Sequence, residues 1–204
     1  MQRPVENDKR IITLHETELL SATVAAHVPP GGRVVVAEPT SADVLAAVAA
    51  AGARWVDAGR DHRFRIDAAG WRTALGVAAP ALVVLGAPDE PTGTLPSPER
   101  VREALAAGAI VLLDRRFARR PRDAARMAAL VSALRDRRGL VVIPSRGRGL
   151  WVRVPGVPSL EIARLAGHPL VVGAATWTWR DAVRVTPPEP RDLEGLLAAL
   201  RRAQ

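Results

Sequence analysis

Short apolar runs alternate with longer stretches in which apolar residues recur every three or four positions. The runs "RVVVA" (33–37), "RWVDA" (54–58), "ALVVLG" (81–86), "AIVLLD" (109–114) and "LVVI" (140–143) read as strands. Between them the helical period predicts helices over 16–28, from Ser41 to Ala51 with Gly52 as the stop, from an Asp67 cap to about Val77, and over 121–137. "SPER" (97–100) opens a further helix, with Ser97 at the cap and Pro98 in the first turn, and Gly108 closes it. Strands that are apolar at nearly every position are buried on both faces, so the alternation predicts a mostly parallel sheet covered by helices on both sides.

From Trp151 the texture changes. "LWVRVPG", a helix near 158–166, "PLVVGA", "DAVRVT" and a last helix over 190–203 predict a small α+β unit. The expected organisation is therefore an α/β, three-layer large domain over 1–150 and a small C-terminal α+β domain over 151–204. In a parallel sheet of this kind, ligands bind outside the carboxyl ends of the strands. Those ends read Glu38-Pro39-Thr40, Ala87 to Gly93, Asp114 to Phe117, and Ser145-Arg146-Gly147.

Composition narrows the class. With 48% hydrophobic and 25% charged residues, the 204-residue chain can bury a core and cover it. No run suits a membrane span, and "MQRPVENDKR" has no signal-peptide core, so a cytoplasmic protein is expected. There is no cysteine, which excludes disulfides and thiolate metal sites. The net charge of +8 invites a nucleic-acid reading. However, Lys9 is the only lysine among 29 basic residues, a bias of composition rather than of function. The densest basic stretch, 115–138, lacks Tyr and Trp and carries Asp123 and Asp136, as a solvated helix face does, so nucleic acid is not expected as a partner.

Other motifs carry little chemistry. The four histidines (His15, His27, His62, His168) have no metal-ligand spacing, and no metal is expected. Ser145 lacks the Gly-x-Ser-x-Gly setting of a hydrolase nucleophile. Trp177 and Trp179 fall on one face if their segment is a strand, which suits core or interface packing.

Taken in order, the strand ends resemble one family. "VVLGAPDEPTGTLPSPERVREAL" looks like the Asn-Pro-x-Asn-Pro-Thr-Gly segment of fold-type I, class I/II aminotransferases that depend on pyridoxal phosphate. "ITLHETELLSATVAAHVPPGGRVVVAEPTSADV" is similar to the segment holding their Gly-Ser turn, "PGD" and "EPTY". "IVLLDRRFA" matches Asp-Glu-x-Tyr, "SRGRGL" matches Ser-Lys-x-x-Gly-Leu, and "AVRVTPPEPRDLEGLLAAL" matches the closing arginine strand and terminal helix. The nearest branch is that of histidinol-phosphate aminotransferases and threonine-phosphate decarboxylases. The resemblance implies the large-domain fold of that family in shortened form, without an N-terminal arm and with a deletion between Leu150 and Trp151.

It also implies which chemistry is kept. Arg146 stands where the Schiff-base lysine is expected, and a guanidinium that stays protonated is no amine nucleophile. Lys9 precedes the first helix, away from the strand ends. Asp114 matches the aspartate that holds the cofactor's ring nitrogen, although by itself an acid at a strand end beside Arg115 or Arg116 is more readily read as an ion-pair partner. Glu90 replaces an asparagine donor, Phe117 a tyrosine, Ser41 an aromatic, and His15-Glu16 the phosphate-binding turn. Arg184 matches the arginine that clamps a substrate carboxylate, and reads equally as a surface arginine on a strand.

These replacements predict a pseudoenzyme that does not transaminate. It is expected to have no cofactor and to bind a small anionic ligand or a protein partner, as a homodimer or paired with a full-length homologue. The alternative is a repurposed enzyme acting on a carboxylated or phosphorylated metabolite, with Glu90, Asp114 and Arg146 as candidate catalytic groups. In either case Glu90, Asp114, Ser145, Arg146 and Arg184 are the candidate ligand-binding residues.

Overall fold

The computed structural model describes residues 10–78, 82–90, 92–119, 123–143, 145–173 and 180–204. They fall into two compact units, one built from the chain through Glu90 together with Thr94–Phe117, the other from Pro91–Gly93 and Ala118–Gln204.

The first unit alternates strand and helix: β1 (Ile11–Leu14), α1 (Glu18–His27), β2 (Arg33–Val36), α2 (Ala42–Ala50), β3 (Arg54–Asp57), α3 (Ala68–Ala78), β4 (Leu82–Gly86), α4 (Pro98–Ala106) and β5 (Ile110–Asp114). Its five strands lie in the order β1-β5-β4-β2-β3, every pair parallel. Successive residues of a strand face opposite sides, and both sides are filled. Val34 and Val36 pack with Val24 of α1 and Val44 and Val48 of α2, whereas Val35 packs with Trp71 and Leu75 of α3 and Ala104 of α4. That double burial is why the strands read as unbroken apolar runs. The expected caps form: Asp67 Oδ2 accepts from the Gly70 amide at 2.7 Å, and Ser97 Oγ accepts from that of Arg100 at 3.3 Å.

One strand has no counterpart in the sequence expectation. Ile11–Leu14 forms β1, an edge strand pairing with β5 from Ile11↔Val111 to Leu14↔Asp114. It is short and exposes Thr13, so its apolar signal is too weak to stand out before the first helix.

The second unit comprises α5 (Asp123–Arg135), β6 (Val141–Ile143), β7 (Leu150–Arg153), α6 (Ser159–Ala166), β8 (Val171–Val172), β9 (Ala182–Val185), a turn of 3-10 helix at Pro190–Asp192, and α7 (Leu193–Arg202). Its sheet, in the order β6-β7-β9-β8, is antiparallel throughout. The second compact unit takes up the chain from Ala118, ahead of Leu150/Trp151. The run 140–143 is not a strand of the parallel sheet, because β6 pairs with β7 from Val141↔Arg153 to Ile143↔Trp151. A parallel pairing needs a long crossover, while the short link to β7 favours an antiparallel hairpin. Met127, Leu130 and Leu134 of α5 share a core with Leu150, Ile162, Val183 and Leu197, so α5 belongs to this unit as well.

Candidate functional site

In the first unit the chemistry collects at the carboxyl ends of β2, β4 and β5. Asp114, the last residue of β5, is 2% exposed. Both its oxygens are taken by Arg116. Oδ1 accepts from Arg116 Nε at 3.0 Å and from the Arg116 amide at 3.0 Å, and Oδ2 accepts from Nη2 at 2.8 Å. The remaining arm of the fork, Nη1, donates to Asp43 Oδ2 on α2 at 3.1 Å. The guanidinium carbon lies 5.0 Å from the centre of the Phe117 ring, within cation–π range. Burial lowers the pKa of Arg116, but the bonds and charge of Asp114, then those of Asp43, outweigh it and raise the value. Of the two readings open for Asp114, the structure displays the ion pair.

Beside it sits a second pair. Asp89 in the loop after β4 is 5% exposed and accepts from Arg60 Nη2 at 2.7 Å. Arg60 also donates from Nε to the Ala37 carbonyl at 2.9 Å, and from Nη1 to the Phe64 carbonyl at 3.0 Å and to Thr94 Oγ1 at 3.3 Å. Gly86 allows this loop to fold back, since a Cβ there would collide with Asp89. Neither Arg60 nor Asp89 stands out in the sequence, because Asp89 occupies the unspecified position of its motif and Arg60 is one arginine among many. Glu90, next to Asp89, is half-buried. His15 and Glu16, between β1 and α1, are exposed, while Ser41 is buried at the start of α2 without a side-chain capping bond.

The second unit holds the other predicted residues. Ser145, Arg146 and Gly147 lie in the β6–β7 connection. Ser145 Oγ accepts from the Gly147 amide at 2.9 Å, and the Arg146 amide donates to the Gly93 carbonyl at 2.8 Å. Gly93 has φ +67°, and a Cβ there would overlap Ser145 Oγ, so only glycine lets the two segments meet. Arg119 clamps the connection, donating from Nε to the Gly147 carbonyl at 3.1 Å and from Nη2 to that of Ser145. The side chain of Arg146 is exposed and has no ion pair among the described residues. Burial lowers the pKa of Arg119, and the charge of Arg146 lowers it further against the opposing effect of Asp123. Arg184 is half-buried in β9, opposite Trp151 on β7 and Val172 on β8, with its Cγ against Gly149. Lys9, Trp177 and Trp179 lie outside the described residues.

The structure thus brings Asp114 together with Arg116 and Asp43, and Ser145 and Arg146 together with Arg119. Among the described residues no helix is long and apolar enough to cross a membrane.

Comparison with known proteins adds the family. The family described as aminotransferase class I and II matches residues 16–145. Histidinol-phosphate aminotransferase of Streptomyces avermitilis is 27% identical over 150 residues, which cover 71% of this chain and 38% of that protein. Against that curated relative the chain therefore spans well under half the length. Among solved structures, N-succinyldiaminopimelate aminotransferase from Mycobacterium tuberculosis is similar with a TM-score of 0.72 at 20% identity, over 93% of this chain and 75% of that one. Histidinol-phosphate aminotransferase from Sinorhizobium meliloti, solved in complex with pyridoxal-5'-phosphate, has a TM-score of 0.69 at 16% identity, over 91% and 73%. These two likenesses speak for the fold, and with the match over 16–145 they place the parallel sheet and its flanking helices: the chain belongs to the aminotransferase class I and II family.

Proposed function

We propose that this chain is a non-transaminating member of its family, a pseudoenzyme that holds a small anionic ligand or a protein partner. The observation that carries the reading is the engagement of Asp114. By resemblance this is the carboxylate that would hold the ring nitrogen of pyridoxal phosphate, and both of its oxygens are occupied by Arg116 in a pair whose side chains are each 3% exposed. A cofactor ring could reach Asp114 only by displacing Arg116 from this buried pair. The residues present therefore do not fit the cofactor.

The position matching the Schiff-base lysine supports the same reading. It is Arg146, in a hairpin connection of an antiparallel sheet. An arginine there supplies no amine nucleophile.

The anionic ligand is supported by the second unit. Arg146 and Arg119 stand close enough for one charge to depress the pKa of the other. An oxyanion between them would relieve that repulsion and accept from a guanidinium fork. Self-association, or pairing with a full-length homologue, belongs to the same proposal.

Absorbance titration of the whole chain with pyridoxal phosphate tests the reading. Spectra that remain the sum of protein and free cofactor are expected, and a saturable aldimine band at one equivalent would overturn it.

A further inference from the structure

Three neighbouring strand ends of the first unit are closed by the chain's own arginines. Arg60 spans the Ala37 carbonyl after β2 and Asp89 after β4, and Arg116 covers Asp114 at the end of β5. Their side chains are 5% and 3% exposed. The surroundings of the two differ. Arg60 is gripped by two carbonyls, a hydroxyl and one carboxylate, as a brace for the loop after β4. Arg116 instead lies in a box made for a flat cation. One carboxylate takes two edge donors side by side, a second carboxylate takes a third, and the guanidinium carbon lies over the Phe117 ring at 5.0 Å. Asp114 Oδ1 also accepts from the Arg116 amide, but the three side-chain bonds and the ring contact act on the guanidinium itself.

We propose that Asp114, Asp43 and Phe117 form a planar-cation site, that the protein keeps it filled with the guanidinium of Arg116 as an internal ligand, and that the site, once emptied, takes a free cation of the guanidinium or amidinium class. The inference rests on the reading above only in assigning Asp114 to Arg116 rather than to a cofactor. It goes further in naming what the box selects. A flat, delocalised cation can donate along one edge to Asp114 and along another to Asp43 while its central carbon stays over the Phe117 ring. A tetrahedral ammonium cannot do all three at once.

Thermal unfolding of the Arg116→Ala variant of this chain is the test, with methylguanidinium as the probe at millimolar concentrations, below those at which guanidinium denatures. Tetramethylammonium at equal concentration is the non-planar control. The expected result is a rise in the unfolding midpoint of about 5 °C with methylguanidinium, with no rise for the unsubstituted protein or for the Asp114→Asn, Arg116→Ala double variant. No rise, or an equal rise with tetramethylammonium or in the double variant, would overturn the proposal. If Arg116→Ala does not fold by itself, methylguanidinium should restore its folded circular-dichroism signal on refolding from urea, and failure to do so counts against the site. These outcomes are independent of the cofactor titration, because an aldimine on the unsubstituted protein would refute the pseudoenzyme reading and leave the methylguanidinium response to be judged separately.

Discussion

Asp114 and Asp43 hold the same guanidinium from unequal positions. The Asp114 side chain is 3% exposed and that of Asp43 is 56% exposed. Replacing Asp114 leaves a buried cation short of its main counter-charge, so Asp114→Asn should cost about 3–5 kcal/mol in urea denaturation. Asp43→Asn removes a solvent-screened partner and should cost about 0.5 kcal/mol. Equal losses in the two variants would mean that burial does not set the hierarchy. A second residue-scale expectation concerns acid. Asp181 accepts from Arg153 Nε at 3.0 Å and Nη2 at 2.7 Å. Those bonds, followed by the charge of Arg153, hold its carboxyl below the ordinary value against the effect of burial. A folded pKa below the unfolded one stabilises the protein above the unfolded value, near pH 4, and that stabilisation is lost as pH falls through the folded value. Asp181→Asn should therefore flatten the fall of stability below about pH 4, and an unchanged slope would remove Asp181 from the account. Little of this is legible in the sequence: Asp114 reads there as an acid with two roles open, and which arginine reaches it depends on side-chain direction, which the order of residues does not reveal.

At the scale of elements, the connection between β6 and β7 depends on the meeting of Gly93 and Ser145. Gly93→Ala adds a Cβ where Ser145 Oγ lies and forces an alanine into positive φ. Overpacking and backbone strain each cost about 1–3 kcal/mol. Ser145→Gly in the same chain should recover the overpacking share but not the backbone share. A double variant no more stable than Gly93→Ala would show that the two segments do not meet in this way. The elements themselves were largely readable. Helices with a cap and a stop, such as Pro98–Ala106 after Ser97, fell where the pattern put them. So did strands buried on both faces, such as Leu82–Gly86. β1 and β6 escaped for opposite reasons. Ile11–Leu14 is a half-exposed edge strand with a weak apolar signal. Val141–Ile143 has a strong signal that specifies a strand without saying which sheet it joins.

For the molecule as a whole, fold and activity are separate questions. A core lies on both faces of the parallel sheet, with helices α1 and α2 on one side and α3 and α4 on the other. Fold carries no chemistry by itself, and function has to be argued from the site. The resemblance of the strand ends singles out Asp114 and Arg146 as candidate positions. The self-filled ends of β2, β4 and β5 were not visible in it, because Arg60–Asp89 and Arg116–Asp43 join residues far apart in the chain. The most direct measurement is the intact mass of the protein after incubation with one equivalent of pyridoxal phosphate and reduction with borohydride. A non-transaminating chain should keep its unmodified mass, whereas one reduced cofactor adduct per chain would contradict the account.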